Sequence, residues 1–412
     1  MNKIKMSTMM FLEFFVWGAW YVTVGIYMAE IGMEDEIYWA FTVGPIAAIV
    51  SPFFLGMIAD RFFATERVLG FLHIIGGLAM IVAAIVSTTG NATLFLVMLQ
   101  IHMLCYMPTI GLANSLAFHH MKSQENEFPI IRAFGTIGWI VAGVLVGYVL
   151  SSEKTAIPLQ IAGAGGILMG LFSFALPHTP PPAAGQKANI RQILGLDALA
   201  RLKSKPFNVF ILCSLLTCIP LAVYYSYAPV FVAQAGITDP ATKMAFGQIS
   251  EAVFIFMMPF FFARLGVKWM LLTGMFAWVL RYAFFALGAS DAITWMILTG
   301  IILHGVCYDF FFVAGQIYVD KKASKDIRGQ AQGLIVLVTY GVGMLIGAQV
   351  SGIVYNEIVD TSSPDALSQF QKFWFLPSIF AALVMVTFGM LFKDRLANSA
   401  EEEGAKPEIS AA

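Results

Sequence analysis

The chain has 412 residues, of which 59% are hydrophobic and only 12% are charged. A soluble domain carries about twice that charged fraction, so the composition excludes an ordinary soluble protein and predicts an integral membrane protein. The formal net charge of -1 offers no overall attraction for nucleic acid, and we expect no such partner. The four cysteines lie inside apolar runs, which indicates small buried hydrophobes and neither a disulfide framework nor a metal site.

Long apolar runs follow one another along the whole chain. A helix needs roughly 20 apolar residues to cross a bilayer core, and runs this long must be helical because lipid cannot satisfy open backbone groups. The predicted spans are 8–29, 37–59, 67–88, 92–118, 128–151, 157–177, 206–234, 245–264, 268–288, 292–318, 329–356 and 373–392. The sequence therefore predicts an all-α polytopic membrane protein with twelve transmembrane helices.

One long polar connection divides these spans six to six. It opens with Pro180-Pro181-Pro182 and continues with an amphipathic stretch at 190–202, which we expect to lie along the inner membrane face. The predicted units are an N-terminal six-helix bundle at 1–178, a cytoplasmic linker with an amphipathic helix at 179–205, a C-terminal six-helix bundle at 206–396 and a disordered cytoplasmic tail at 397–412.

Basic residues are distributed unevenly between the two sets of loops. With the N-terminus placed in the cytoplasm, only Lys154, Lys243 and Lys372 fall in outer loops, and Arg132 and Arg281 fall within spans. All other Lys and Arg lie on the inner side, so the positive-inside rule predicts that both termini are cytoplasmic. We expect a multi-pass protein of the cytoplasmic (inner) membrane.

The two halves share short patterns in the same order. His102-Met-Leu-Cys105-Tyr106 in the fourth span matches His304-Gly-Val-Cys307-Tyr308 in the tenth, and Ile131-Arg132 opens the fifth span as Ile327-Arg328 opens the eleventh. Such matches indicate parallel repeats, an arrangement in which substrate binds near the midplane between the halves.

Several motifs resemble known transporter sequences. The loop Gly56-Met-Ile-Ala-Asp60-Arg61 resembles the signature loop of the major facilitator superfamily, in which an acid and a base latch the cytoplasmic gate. Further motifs, taken together, resemble the nucleoside–proton symporter family: Phe14-Phe-Val-Trp17-Gly-Ala-Trp20, Tyr106-Met-Pro108-Thr-Ile-Gly111-Leu-Ala-Asn114, Arg132-Ala-Phe-Gly135-Thr136-Ile-Gly138, Leu194-Gly-Leu-Asp197-Ala, Gln248-Ile-Ser-Glu251 and Asp309-Phe-Phe. The resemblance implies a major facilitator fold with a central cavity between two six-helix bundles.

Charged side chains within the spans are candidate functional residues, because a charge inside a bilayer is costly. They are Glu13, Arg132, Glu251, Arg281 and Asp309. Gln248 lies one turn before Glu251, so the two share a helix face. That pair is suited to binding ribose hydroxyls, and Glu251 also to carrying a proton; the resemblance supports substrate binding by both.

The other intramembrane charges leave alternatives open. Asp309, with Phe312 on its face, is a proton carrier, a substrate ligand or the partner of an arginine. Arg132 begins a stripe with Thr136 and Trp139, and it either binds substrate or neutralises a carboxylate between cycles. The resemblance implies that Arg132 and Thr136 are site residues.

Three further residues or pairs have competing interpretations. Glu13 either couples protons or pairs with an arginine, and we expect a packing or gate role for Arg281. His102 and His304 occupy repeat-equivalent positions, so they are either a proton relay or a duplicated structural residue.

Aromatic residues fall on helices that line the cavity in this fold. They are Trp17, Trp20 and Tyr21 of the first helix, Tyr224, Tyr225 and Tyr227 of the seventh and Tyr308 of the tenth, and stacking on such rings would suit a nucleobase. The predicted substrate site is therefore Trp17, Arg132, Thr136, Trp139, Tyr224, Gln248, Glu251 and Phe312. The predicted proton carriers are Glu13, Glu251 and Asp309, and the predicted gate is Asp60 and Arg61.

The sequence lacks the motifs of other functional classes. It has no Walker loop for ATP, no metal-binding His-Glu-x-x-His helix and no nucleophile elbow, so we expect no enzyme activity, no cofactor and no metal. The sequence thus predicts a monomeric proton-coupled importer of nucleosides that works by alternating access. Proton symport of a sugar or another polyhydroxylated solute is the main alternative, followed by drug export and by a non-transporting sensor.

Overall fold

The computed structural model describes residues 2–55, 62–181, 189–324 and 327–393, and almost all of them are helical. We number the long helices α1 to α12 in chain order. They are α1 Asn2–Glu30, α2 Ile37–Phe54, α3 Thr65–Ser87, α4 Ala92–His120, α5 Gln124–Val144, α6 Ile157–Ser173, α7 Lys205–Gln234, α8 240–265, α9 267–289, α10 Thr294–Lys322, α11 Arg328–Ile358 and α12 Ala366–Leu391. The predicted twelve spans are confirmed within these described ranges.

The predicted break between the spans 245–264 and 268–288 lies at Gly266. In the helical residues Pro240–Ala289, Gly266 alone is non-helical, with φ 63° and ψ 178°. These 50 residues correspond to roughly 75 Å at 1.5 Å per residue, far more than one bilayer crossing. The left-handed φ is one that glycine adopts without strain, so Gly266 reverses the chain between two spans.

Several features interrupt the regular helices, including π-helical segments at Leu145–Val149, Asp309–Val313 and Leu337–Gly343. A turn at 21–23 separates the segments Asn2–Trp20 and Val24–Glu30 of α1. The linker forms two short helices, Ile190–Ile193 and Leu196–Leu202, on either side of Gly195, which has φ 67°. Ala198 and Leu202 are buried, and Gly195 packs against Gln330 and Leu334 of α11. The linker therefore packs on the C-terminal bundle.

Helices α1 to α6 pack into one bundle and α7 to α12 into a second. The bundles meet where α2 packs on α11, α5 on α8, and α1 and α2 on α7. One end of the molecule holds the start of α1 and the chain after α6, as the hydrogen bond from Lys5 Nζ to the carbonyl oxygen of Ala175 (2.6 Å) shows. We call this end the linker end and the opposite end the far end.

Hydrogen bonds join the two bundles at the far end. Glu34 accepts from the hydroxyls of Tyr355 (2.8 Å) and Thr361 (2.6 Å), and Asn356 Nδ2 donates to the carbonyl oxygen of Asp35 (2.9 Å). The backbone N–H of Ala241 at the start of α8 donates to the Glu153 carboxylate. These contacts close the far end of the protein.

Candidate functional site: a cavity between the two bundles

A cavity of about 900 Å³ lies between the bundles. This volume includes solvent-open space, and the wall combines apolar, aromatic and polar side chains, as small-molecule sites do. Both bundles contribute to its wall: Phe14, Trp17, Tyr21, Gly44, Pro45, Ala48, Met103, Met107, Arg132, Thr136 and Trp139 from the N-terminal bundle, and Tyr225, Gln248, Glu251, Tyr308, Tyr340 and Met344 from the C-terminal one. Six of the eight predicted substrate residues line it.

On the N-terminal side, α5 presents Arg132, Thr136 and Trp139 to the cavity. Glycines permit the close packing of α5 on α1 that holds this stripe in place. A Cβ at Gly18 would lie 2.9 Å from the Trp139 Cα, and a Cβ at Gly138 would collide with the carbonyl oxygen of Phe11. The stripe is therefore set by backbone contact between two helices.

The Arg132 guanidinium lies over an aromatic ring at the edge of the cavity. Its Cζ is 4.0 Å from the centre of the Phe14 ring. A cation over an aromatic face is attracted by the ring quadrupole. A Cβ at Gly135 would lie 2.7 Å from that same ring, so glycine at this position leaves room for the pair.

Aromatic rings form the wall around the stripe. The Trp17 ring contacts Trp139 (5.4 Å between centroids), Tyr21 (5.5 Å) and Tyr106 (5.6 Å), each edge to face. Tyr21 also meets Tyr225 of the other bundle at 5.6 Å. Flat apolar walls with polar edges suit a planar heterocyclic ligand.

On the C-terminal side, α8 presents Gln248 and Glu251 to the cavity. Gly305 of α10 is in backbone contact with Ser250, because a Cβ there would lie 2.5 Å from the Ser250 carbonyl group. This approach places His304 Nε2 3.9 Å from Glu251 Oε2, too far for a hydrogen bond. The Glu251 side chain is 27% exposed, and Gln248 Oε1 has no hydrogen-bond partner among the described residues. Both polar groups are thus available to a ligand.

The structure adds cavity residues that sequence reasoning did not select. Tyr21, Tyr225, Tyr308 and Tyr340 line the wall, and the hydroxyls of Tyr308 and Tyr340 are in contact. Met103, Met107 and Met344 add flexible apolar surface. Tyr21, Tyr225 and Tyr308 could have been predicted as cavity residues, because they are aromatic residues of helices that line the cavity in this fold. No sequence feature predicted the cavity residues of α11.

Two predicted substrate residues lie behind the cavity wall. Tyr224 stacks on His304 at 5.2 Å, with the Arg281 guanidinium 3.9 Å from the centre of its ring. Phe312 contacts the ring of Tyr308, at 5.4 Å. Neither is among the lining residues, and Tyr225 takes the position expected of Tyr224.

Arg281 is a packing residue, as expected. It is fully buried, and its Nε donates to the carbonyl oxygen of Gly300 at 2.9 Å. Its guanidinium also lies against the Trp278 ring at 4.9 Å. These contacts tie α9 to α10.

The two remaining candidate carboxylates are fully buried outside the cavity lining. Neither oxygen of Asp309 has a hydrogen-bond partner among the described residues, so the expected alternative of an arginine partner is absent from that part of the chain. Glu13 pairs with His73 of α3 (Oε2 to Nε2, 2.8 Å). In the described part of the chain the side-chain partners of Glu13 are thus His73 and Thr109 and not an arginine.

The two repeat-equivalent histidines have different surroundings. His102 Nδ1 contacts the carbonyl oxygen of Gly76 at 2.9 Å, whereas both His304 ring nitrogens lack a hydrogen-bond partner among the described residues.

The predicted gate residues Asp60 and Arg61, like the tail 397–412, lie outside the described residues. Within the described ranges no group of His, Cys, Asp or Glu is arranged to hold a metal ion.

A polar and aromatic cavity at the interface of two six-helix bundles is the arrangement of a secondary transporter of the major facilitator fold. The family model "Nucleoside H+ symporter" matches residues 1–397, and the chain belongs to that family.

Individual relatives agree with this assignment. The chain is 40% identical over 401 residues to the putative nucleoside transporter YegT of Escherichia coli (strain K12), covering 95% of this chain and 93% of that protein. It is 32% identical to the nucleoside permease NupG of the same organism, covering 95% and 96% of the two chains. A crystal structure of NupG superimposes with a TM-score of 0.84 at 29% identity, covering 96% of this chain and 100% of the other.

Proposed function

We propose that this protein imports nucleosides across the cytoplasmic membrane, driven by protons, with both termini in the cytoplasm. The observation that carries the proposal is the pairing of two polar stripes across one cavity. Arg132 and Thr136 face it from α5, and Gln248 and Glu251 face it from α8. A nucleoside has a polar sugar and a planar base, and the cavity offers matching polar and aromatic surfaces.

In the proposed binding mode, the ribose hydroxyls bind Gln248 and Glu251. The amide and the carboxylate lie one turn apart and accept hydrogen bonds from neighbouring hydroxyls. Arg132 and Thr136 donate to the ligand from the opposite bundle. Because the two halves of the site belong to different bundles, a bound nucleoside draws them together, and this favours reorientation around a midplane site.

The base is held by the aromatic wall. Trp17 and Trp139 on one side and Tyr225 and Tyr308 on the other present ring faces and edges to the cavity. Stacking on such rings is worth roughly 1–3 kcal/mol per base. Tyr224 and Phe312 support this wall from behind through His304 and Tyr308.

Glu251 and Asp309 are the proposed proton carriers of the C-terminal bundle. An unpaired carboxylate in a membrane interior is costly when ionised, so a bound proton removes a buried charge. Neither Asp309 oxygen has a hydrogen-bond partner in the described part of the chain, and Glu251 faces the cavity where substrate binds. Protonation from the acidic side of the membrane would permit reorientation with substrate bound.

Uptake into proteoliposomes tests the proposal. We expect labelled uridine or adenosine to accumulate when an inward proton gradient is imposed and to equilibrate without one. Competition by unlabelled nucleosides, free bases and sugars then identifies the ligand class. Competition by sugars alone would favour the polyhydroxylated-solute alternative. Absence of uptake of either nucleoside by folded protein would overturn the proposal. All cavity residues come from a single chain, so we propose that a monomer suffices.

A further inference from the structure

A buried cluster in the N-terminal bundle carries a titratable group that the proposed cavity chemistry does not use. Glu13, His73 and Thr109 come from α1, α3 and α4, and each is at most 3% exposed. Glu13 Oε2 lies 2.8 Å from His73 Nε2, and Glu13 Oε1 lies 2.6 Å from Thr109 Oγ1. Thr109 Oγ1 is also 2.5 Å from the carbonyl oxygen of Tyr106. The cluster thus contains three short polar contacts in a row.

Each of those contacts is at hydrogen-bond distance. Thr109 has one hydroxyl hydrogen for two acceptors, Glu13 Oε1 and the carbonyl oxygen of Tyr106. The Tyr106 hydroxyl hydrogen is used elsewhere, because it donates to the backbone oxygen of Glu13 at 2.7 Å. With His73 Nε2–H on Glu13 Oε2, a proton on the Glu13 carboxyl group would give each of the three contacts its own hydrogen.

A protonated Glu13 gives the hydrogen-bond chain one direction. Glu13 Oε1–H would then donate to Thr109, the Thr109 hydroxyl to the carbonyl oxygen of Tyr106, and His73 Nε2–H to Glu13 Oε2, across the same three contacts. A hydroxyl that donates to a carbonyl in the preceding helical turn is a common arrangement. With a neutral imidazole and a protonated carboxyl, the cluster carries no net charge inside the membrane.

The surrounding elements present few other titratable groups to this cluster. His102 of α4 stacks on Tyr106 at 5.7 Å, and its Nδ1 is directed to the carbonyl oxygen of Gly76. Arg132 of α5 lies over the Phe14 ring, on the cavity side. From α6, Gly165 packs on Phe15. Arg132 is therefore a cation at the cavity wall next to Phe14, the residue that follows Glu13.

We propose that Glu13 is a proton site in addition to Glu251 and Asp309, and that it holds its proton while the far end is closed. Glu13 is adjacent to Phe14 and one turn before Trp17, and both of these line the cavity. Movement of α1 against α4 during reorientation would break the Glu13–Thr109 hydrogen bond and allow the proton to leave. The transport role rests on the proposed function, whereas the protonated state of Glu13 does not.

Infrared spectroscopy of the purified full-length protein tests the protonated state. The wild-type spectrum minus that of Glu13→Gln is expected to contain the carbonyl band of a protonated carboxylic acid. The amide of the variant donates to Thr109 and accepts from His73, so the variant should unfold at the wild-type temperature. Carboxylate bands in the difference spectrum, with loss of thermal stability in the variant, would indicate an ion pair with a charged His73 and overturn the proposal.

Proton and nucleoside fluxes measured together in proteoliposomes test the coupling. We expect Glu13→Gln to bind nucleoside as the wild type does and to move fewer protons per nucleoside, with a flatter dependence of uptake on pH. Thr109→Val, which removes the hydroxyl acceptor, should alter the pH dependence while leaving Glu13 titratable. An unchanged proton-to-nucleoside ratio in folded Glu13→Gln would make Glu13 a structural acid only. If the wild type itself moves no nucleoside, the proposed function fails, and the infrared result still decides whether Glu13 is protonated.

Discussion

Tyr224 and Tyr225 are adjacent in α7 but have different surroundings. Tyr225 lines the cavity, whereas Tyr224 is fully buried between His304 and Arg281. We expect Tyr225→Ala to raise the KM for nucleoside roughly tenfold, since base stacking is worth about 1–3 kcal/mol. Tyr224→Ala should mainly lower the unfolding temperature, because it opens a space in a packed interior. Uptake kinetics and thermal unfolding of both variants check this pair; a larger effect of Tyr224→Ala on KM would contradict the assignment.

Glu251 is the carboxylate that faces the cavity from α8. Glu251→Gln keeps the size and hydrogen-bonding capacity of the side chain but cannot exchange a proton. We therefore expect loss of proton-driven accumulation with retained exchange of nucleoside down its own gradient. Glu357→Gln, at an exposed position of α11, should behave as the wild type. Accumulation by the Glu251 variant at the wild-type level would remove Glu251 from the coupling mechanism.

At the residue scale, the sequence predicted the helices that line the cavity more accurately than it predicted the individual side chains. Neighbouring residues on a helix point about 100° apart, so the choice of Tyr225 over Tyr224 depends on helix rotation, which packing sets. His73 gave no signal, because a histidine in an apolar run becomes informative only when its partner is known. By contrast, Gln248 and Glu251 could be predicted as site residues. Two polar residues one turn apart are costly in a membrane interior, so their presence indicates a functional role.

The packing of α1 on α5 depends on small residues. A Cβ at Gly138 would collide with the carbonyl oxygen of Phe11, and backbone cannot move aside as a flexible side chain can. We expect Gly138→Ala to destabilise the protein by roughly 1–3 kcal/mol and to reduce uptake, because the shift of α5 displaces Arg132 and Thr136. Thermal unfolding in detergent and uptake kinetics are the measurements.

Gly333→Ala is the matched control for this helix contact. Nothing lies within 4 Å of a Cβ built at Gly333 of α11, and alanine favours the helical state over glycine. The control should be neutral or slightly stabilising. Equal stability of the two alanine variants would show that the close contact between α1 and α5 does not limit the stability of the protein.

At the element scale, the length of the apolar runs was sufficient to predict the spans. A bilayer of fixed thickness requires helices of similar length, so composition alone positions them. The prediction also separated the spans 245–264 and 268–288, between which the chain reverses at Gly266. It could not show that the linker packs on α11, because the face of an amphipathic helix does not identify what covers it.

For the whole molecule, alternating access requires that the far-end contacts break and reform. One of them involves Glu153, which is 8% exposed and lies between the spans of α5 and α6. Burial raises the pKa of Glu153 to about 7, and nearby Asp239 raises it further, while the N–H of Ala241 and the charge of Lys243 oppose the rise. Separation of the bundles would return this carboxyl group to water and to its ordinary pKa of about 4.5.

Closure of the far end therefore takes up a proton at Glu153. A group whose pKa is raised in the closed state stabilises that state fully below pH 4.5, and the stabilisation is lost as the pH rises through about 7. The contribution is on the order of 3 kcal/mol at most, at 1.36 kcal/mol per pH unit. With the far end on the outer side, as proposed, external acid would favour the closed state, in the direction that proton-driven import requires.

Spin-label distances between exposed far-end positions, Thr89 of one bundle and Asp291 of the other, measure this closure. We expect the closed population of the wild type to fall as the pH rises from 5 to about 8. Glu153→Gln should remain closed across that range, because its amide still accepts from Ala241 and cannot ionise. Lys154→Gln is the control: its surface ion pair with Glu30 is solvated and worth little, so the wild-type pH dependence should persist. The same pH dependence in Glu153→Gln as in the wild type would assign the closing proton to another group.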